Sequence, residues 1–171
     1  MNISLLYDRS IKLIDDSYKR LLRIWELPKG SISKKKINNH IYYYYQYRDG
    51  KKIVSRILKK NEIDDLRKKI NERKRLVKLN KEAKINLDKN IKVIAIFDKG
   101  LSSTLLDEAF AYSFDEIPLK DRINISLPFV NIRGENSSVN NQNLNDYFKR
   151  WVNGEIRARE ISNYIIQKIS D

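Results

Sequence analysis

The chain has 171 residues, enough for one domain or two small lobes with a modest core. It carries 35 Lys and Arg against 22 Asp and Glu, a net charge of +13, and no cysteine, which excludes disulfides, cysteine nucleophiles and zinc–thiolate sites. The longest apolar run, Val93 to Phe97, is far too short to span a bilayer, and the first residues lack the apolar run and small-residue cleavage site of a signal peptide. A cytoplasmic protein with no membrane partner is the expectation.

Residues 2–26 predict a helix. Ile11, Ile14, Tyr18, Leu21, Leu22 and Trp25 recur at three- and four-residue spacing with charges between them, and Pro28 and Gly30 end the pattern. The stripe is expected to pack in the core or against a partner helix.

The stretch from Pro28 to Lys60 then concentrates the charge: ten basic residues against one acid, Asp49. An A/T-rich genome yields many lysines without selection for binding, but uneven placement is the footprint of a phosphate-binding surface. Residues 91–171, with ten bases and eleven acids, are near neutral. The basic stretch reads as three short antiparallel strands, with turn signals at Asn38-Asn39 and at Arg48-Asp49-Gly50. A two-residue Asp49-Gly50 loop would pair Arg48 with Lys51 and mix apolar and charged side chains on both faces. A three-residue loop with Gly50 left-handed pairs Tyr47 with Lys51 and sorts them. In that register Ile32, Ile41, Tyr43, Tyr45, Ile53, Ser55 and Ile57 share a packable face. The opposite face carries Ser33, Lys35, Tyr42, Tyr44, Gln46, Lys52, Val54 and Arg56. The expected nucleic-acid contacts are Ser33, Lys35, Tyr42, Tyr44, Gln46, Arg48, Lys52 and Arg56, with the cations on phosphate or base edges and the tyrosines stacking beside them.

Pro28, Gly30, Ser31, Tyr42 to Tyr44, Tyr47, Arg48, Gly50 and Lys51 carry a resemblance. A G-S-I start, a basic strand, an aromatic strand ending Y-R-D-G-K-K, a third strand and a helix resemble the arm-type DNA-binding domain of phage tyrosine recombinases. The layout is also similar to a group of small bacterial and archaeal proteins with P-x-G-S, Y-Y-Y-x-x-Y-R-x-G-K and a charged helix. It covers about residues 28–80. The resemblance implies a three-stranded sheet that enters the major groove with a helix behind it. It implies no strand transfer, because a single His40, with Tyr43 where H-x-x-R needs arginine, makes no recombinase active site.

Asn61 is expected to cap a helix running to about Asn86, with Ile63, Leu66, Ile70 and Val77 as its stripe and Asp64–Lys68 and Asp65–Lys69 as favourable pairs. Its first turns would cover the apolar sheet face. Arg73 and Asn80 fall in the stripe, which argues against a long coiled coil. The run Arg73-Lys74-Arg75 either touches phosphate or is a solvated face. Ile91 to Phe97 suits a buried strand, or a helix segment of the same length. Asp98-Lys99-Gly100 breaks it, and Ser102 or Ser103 caps a helix with Leu105, Leu106, Ala109, Phe110 and Phe114 on its apolar side, ending before Pro118. Ile123, Ile125, Leu127 and Phe129 alternate like an edge strand, and Gly134 to Asn143 reads as a loop. Two helical stripes close the chain, Leu144, Tyr147, Phe148 and Trp151, then Ile156, Ala158, Ile161, Ile165 and Ile169, separated by a stop at Asn153-Gly154. The passage around W-V-N-G-E-I-R-A resembles the opening of resolvase helix-turn-helix domains. Arg157 stands at that pattern's threonine position and the recognition helix is missing, which leaves a helical hairpin for packing or protein contact.

Catalytic constellations are sparse. Glu82-Ala83-Lys84 matches a nuclease E-x-K fragment but lies in a predicted helix. Asp107-Glu108 and Asp115-Glu116 read as solvent-facing caps more readily than as magnesium ligands. His40 has no partner in sequence that would orient it for acid–base work, and no histidine cluster supports a tyrosine nucleophile among Tyr42 to Tyr45. The expectation is a non-enzyme without metal or cofactor.

The fold class is α+β: an N-terminal helix (1–27), a basic three-stranded module with its long charged helix (28–90), and a mixed, mainly helical lobe (91–171). The expected role is a DNA- or RNA-binding accessory or regulatory protein of a phage or mobile element, with a protein partner on the C-terminal lobe. The alternative is an interaction protein, either an anti-CRISPR-like inhibitor of a host nucleoprotein defence complex or an antitoxin.

Overall fold

Neither proline nor glycine interrupts the sequence between Ile3 and Glu26, and in the computed structural model, which describes residues 2–122 and 141–170, this segment is one helix, α1 (Ile3–Glu26). Strands β1 (Ser31–Ile37), β2 (His40–Asp49) and β3 (Lys52–Ile57) follow, then α2 (Lys60–Phe97), α3 (Lys99–Asp115), α4 (Asn141–Val152) and α5 (Ala158–Ser170). The three strands form one antiparallel sheet in the order β1-β2-β3, and the class is α+β. The chain divides into two compact units, residues 19–84 and residues 1–18 with 85–171. The boundary expected at residue 90 falls inside α2.

α2 is 38 residues long. It starts at Lys60, one residue before the expected Asn61 cap, and the Glu62 carboxylate turns back to accept a hydrogen bond from the Lys59 N–H at 2.9 Å. That contact is half of a capping box. Of the strand and the helix segment that suit Ile91 to Phe97 by sequence, the chain takes the helix, as the last part of α2. Nothing between Asn86 and Phe97 breaks a helix, and Ala83, Leu87, Ile91 and Ile94 continue the buried stripe. The chain stops only where the Asp98 side chain accepts from the Leu101 N–H at 3.0 Å, capping α3 in place of Ser102 or Ser103.

In the unit of residues 19–84, the first turns of α2 cover the sheet. Tyr45, Leu58, Ile63 and Ile70 form its core, with Ile32, Tyr43, Tyr47 and Leu66 around them. Ile24, Leu27 and Leu76 continue the packing between the end of α1 and α2. Arg73 and Asn80, which interrupt the α2 stripe, are the polar ties to α1. Arg73 donates to the carbonyls of Ile24 and Leu27 at the α1 C-terminus, where a cation favours the helix dipole. Arg20 donates to Asn80 Oδ1 at 2.6 Å, and Arg23 pairs with Glu72 at 2.8 Å. Val77, expected in the stripe, is exposed, and Leu22 of α1 is exposed as well.

The other unit buries Ser10, Ile14 and Ser17 of α1. The two serines escape a hydrophobicity count, yet their small size suits close helix packing, and Ser10 Oγ accepts from Asn90 at 3.0 Å. Leu105 is buried on α3, whereas Leu106 and Phe110 are exposed, contrary to expectation. Ala111, Leu144, Phe148, Trp151, Ile156, Ala158 and Ile161 form a second core. Between its two helices Gly154 takes φ 78°, with Gly154 N–H bonded to Trp151 O and Glu155 N–H to Arg150 O, the double closure of a Schellman stop. The strand expected at residues 123–129 and most of the expected loop lie outside the described residues; Asn141 to Asn143 open α4.

Candidate nucleic-acid interface

Register decides which side chains the sheet presents. Asn38 and Asn39, at φ 45° and 62°, form the first turn and pair Ile37 with His40, the two-residue geometry that favours asparagine. In the second turn Gly50 is left-handed at φ 59°, as expected, but the loop is Gly50-Lys51 and Asp49 pairs with Lys52. A glycine with positive φ at the first central position is the signature of a type II′ hairpin turn. The three-residue loop expected from the sequence is therefore corrected, and with it the faces of β3.

Direct partners share a face. The covered face carries Ile32, Tyr43, Tyr45, Tyr47, Val54 and Arg56, with Lys34, Lys36, Ile41 and Lys52 on the same side beyond the helix. The open face carries Ser31, Ser33, Lys35, Ile37, His40, Tyr42, Tyr44, Gln46, Arg48, Ile53, Ser55 and Ile57. None of these is acidic.

Six of the eight expected contact residues thus sit together on the open face. Lys35 is cross-strand from Tyr42, and its Nζ lies 5.1 Å from the Tyr44 ring centroid. Ser33 pairs with Tyr44, Gln46 lies between Ser31 and Ser55, and Arg48 is exposed opposite Ile53. Ser33 Oγ is buried without a protein partner among the described residues. Lys52 and Arg56 do not join them. Arg56 is engaged elsewhere: it pairs with Glu62 at 3.3 Å and lies over the Tyr45 ring at 5.7 Å. Ile53 and Ile57, expected in the core, are 67% and 58% exposed on the open face beside Tyr44 and Arg48. His40 Nδ1 donates to the Asn38 carbonyl at 2.9 Å, which fixes the turn.

Behind this face the scaffold is rigidly tied. Tyr45 donates its hydroxyl to the Lys29 carbonyl and stacks on Tyr47 at 5.1 Å; burial pushes its phenol above the ordinary value. Gly30, at φ 125°, sits so close to β2 that a Cβ there would lie 2.3 Å from the Gln46 carbonyl oxygen. That approach explains the glycine of the P-x-G-S pattern.

Two of the acids considered for chemistry, Glu82 and Asp115, are engaged in structure. Glu82 pairs with Lys78 at 3.8 Å on α2. Asp115, expected to face solvent, is 1% exposed and accepts from Trp151 Nε1 at 3.2 Å, the Ala158 N–H at 2.8 Å and Arg157 Nε at 3.4 Å. It thereby caps the N-terminus of α5 from another helix. Arg157 also pairs with Asp15 at 2.5 Å and lies over the Tyr18 ring. Buried Arg122 donates to the carbonyls of Ile117, Trp151 and Asp115, and desolvation lowers its pKa.

Among known proteins, a family model described as a domain of unknown function (DUF6788) matches residues 5–68, a range that takes in the sheet and the first turns of α2. No curated protein and no solved structure matches the chain. Among the described residues no helix is long and apolar enough to cross a membrane, and no group of three His, Asp or Glu is placed to hold a metal ion.

Proposed function

We propose that the protein binds nucleic acid through the open face of its β-sheet and acts as an accessory or regulatory factor rather than as a catalyst. The observation that carries the reading is the composition of that face. Lys35, Tyr42, Tyr44, Gln46 and Arg48 stand together in register with no carboxylate among them. Cations supply phosphate attraction, Gln46 offers an amide to base edges, and the tyrosines with Ile53 and Ile57 offer apolar contact to bases. The α2 helix braces the sheet from behind and leaves this face free.

The test is a mobility shift with labelled duplex DNA and RNA, using the full chain and two double variants. Lys35→Ala with Arg48→Ala is expected to weaken binding much more than Lys52→Ala with Arg56→Ala. Equal loss in both, or loss only in the second, would move the interface off the open face.

A further inference from the structure

The hairpin that joins β1 to β2 extends past its helical cover. Every residue from Lys34 to Tyr42 is exposed, on both faces of the ribbon. Three cross-strand pairs, Lys35–Tyr42, Lys36–Ile41 and Ile37–His40, make up this extension, which projects roughly 10 Å beyond the covered pairs. Three consecutive lysines line one strand, and no acid occurs between Lys29 and Arg48. At the tip stand two large apolar side chains, Ile37 and Ile41, 45% and 51% exposed. They point to opposite faces, because Ile37 pairs with His40 and Ile41 with Lys36.

A folded protein that gains nothing from burying these isoleucines on itself, and rings them with lysine, is matched to a partner that is polyanionic outside and apolar inside. Duplex DNA is such a partner. Building on the nucleic-acid reading above, we propose that the β1–β2 tip is an arm that enters the minor groove of duplex DNA and wedges isoleucine between base pairs, bending the duplex. Lys34, Lys35 and Lys36 then follow the phosphates on either side. Asn38 and Asn39, exposed at the turn, bring amide donors to the acceptors that A·T pairs show in that groove. The minor groove is about 6 Å wide, too narrow for two strands and their side chains. Insertion therefore requires the groove to open, and partial unstacking by an apolar wedge is how proteins open it.

The experiment uses the full chain and a duplex of about 30 base pairs carrying a donor and an acceptor dye at its ends. Saturating protein is expected to raise energy transfer, and 2-aminopurine within the duplex to brighten as its neighbour unstacks. Ile37→Ser with Ile41→Ser should bind within about tenfold of the parent affinity, because the lysines carry the electrostatic term, yet leave both signals at free-duplex values. Its melting temperature should match the parent, since both side chains are half-exposed. Saturation of the parent without either signal overturns the arm, as does full bending by the serine variant or preference for single-stranded oligonucleotide. Those results leave the open-face reading standing, whereas absence of any nucleic-acid binding removes that reading itself. A tip that leaves DNA straight but is protected by a protein partner also overturns it.

Discussion

Replacing Ile53 and Ile57 by threonine separates the observed register from the one that a packable face suggests. Threonine keeps the β-branch, so strand propensity changes little and burial dominates the result. A fully buried isoleucine truncated in a core costs about 2–5 kcal/mol. Here Ile53 is 67% exposed and Ile57 58% exposed, so roughly a third to two fifths of that loss applies, on the order of 1 kcal/mol each by area. Leu58 is the comparison: it is the adjacent residue, 6% exposed, and belongs to the core with Tyr45, Ile63 and Ile70. Leu58→Ala should cost about 2–5 kcal/mol. Urea unfolding of the three proteins gives the energies, and binding of labelled duplex gives the function. The threonine pair should cost less than Leu58→Ala and still weaken nucleic-acid binding, since both residues lie on the proposed contact face. If the pair destabilises as much as Leu58→Ala and leaves binding intact, β3 presents its other face and the interface is misassigned.

Gly30→Ala should destabilise the sheet by roughly 1–3 kcal/mol, because the new methyl meets the Gln46 carbonyl at 2.3 Å; an unchanged urea midpoint would refute the close approach. Asp115→Ala should cost roughly 3–5 kcal/mol, since it strips Trp151 Nε1, the Ala158 N–H and Arg157 of their shared acceptor; loss below 1 kcal/mol would show that the network is dispensable. Glu62 holds its proton less tightly than an ordinary glutamate, chiefly because the Lys59 N–H donates to it and then because Arg56 lies beside it. A depressed carboxylate adds stability that is present above its ordinary value of 4.5 and is lost as pH falls through the lower folded value. Thermal melts of Glu62→Gln should therefore fall less steeply than the parent's as pH drops below that point, and parallel acid profiles would contradict the contact.

Local chemistry was legible in the sequence wherever a residue type admits few backbone answers. The Asn38-Asn39 turn, the left-handed Gly50 and the Gly154 stop are all where the sequence predicts them, and so is the placement of Ser33, Lys35, Tyr42, Tyr44 and Gln46 on one face; Arg48, expected in the loop, joins that face from within β2. The β3 register was not legible, because Gly50 fits both a three-residue bulged loop and the observed Gly50-Lys51 turn. Sorting apolar from charged side chains favoured the former, but α2 covers only the centre of the sheet and leaves isoleucines on the open side. Ile91 to Phe97 looked like a strand through its β-branched residues, while the absence of any breaker kept it helical up to Asp98. Arg73 and Asn80 looked like faults in the α2 stripe because their partners lie on α1, more than forty residues away in sequence.

The open sheet face is the proposed polyanion site, and the salt dependence of binding tests it most directly. Each phosphate contact releases condensed counterions, so log K falls with log salt by about 0.9 per contact on duplex DNA. Titrations of the full chain against duplex DNA between 50 and 200 mM salt should give a steep negative slope. Lys35→Ala with Arg48→Ala should lower that slope by about two contacts' worth while leaving the melting temperature unchanged, as exposed charges contribute little to stability. No binding at low salt, or a slope indifferent to the loss of Lys35 and Arg48, would contradict it.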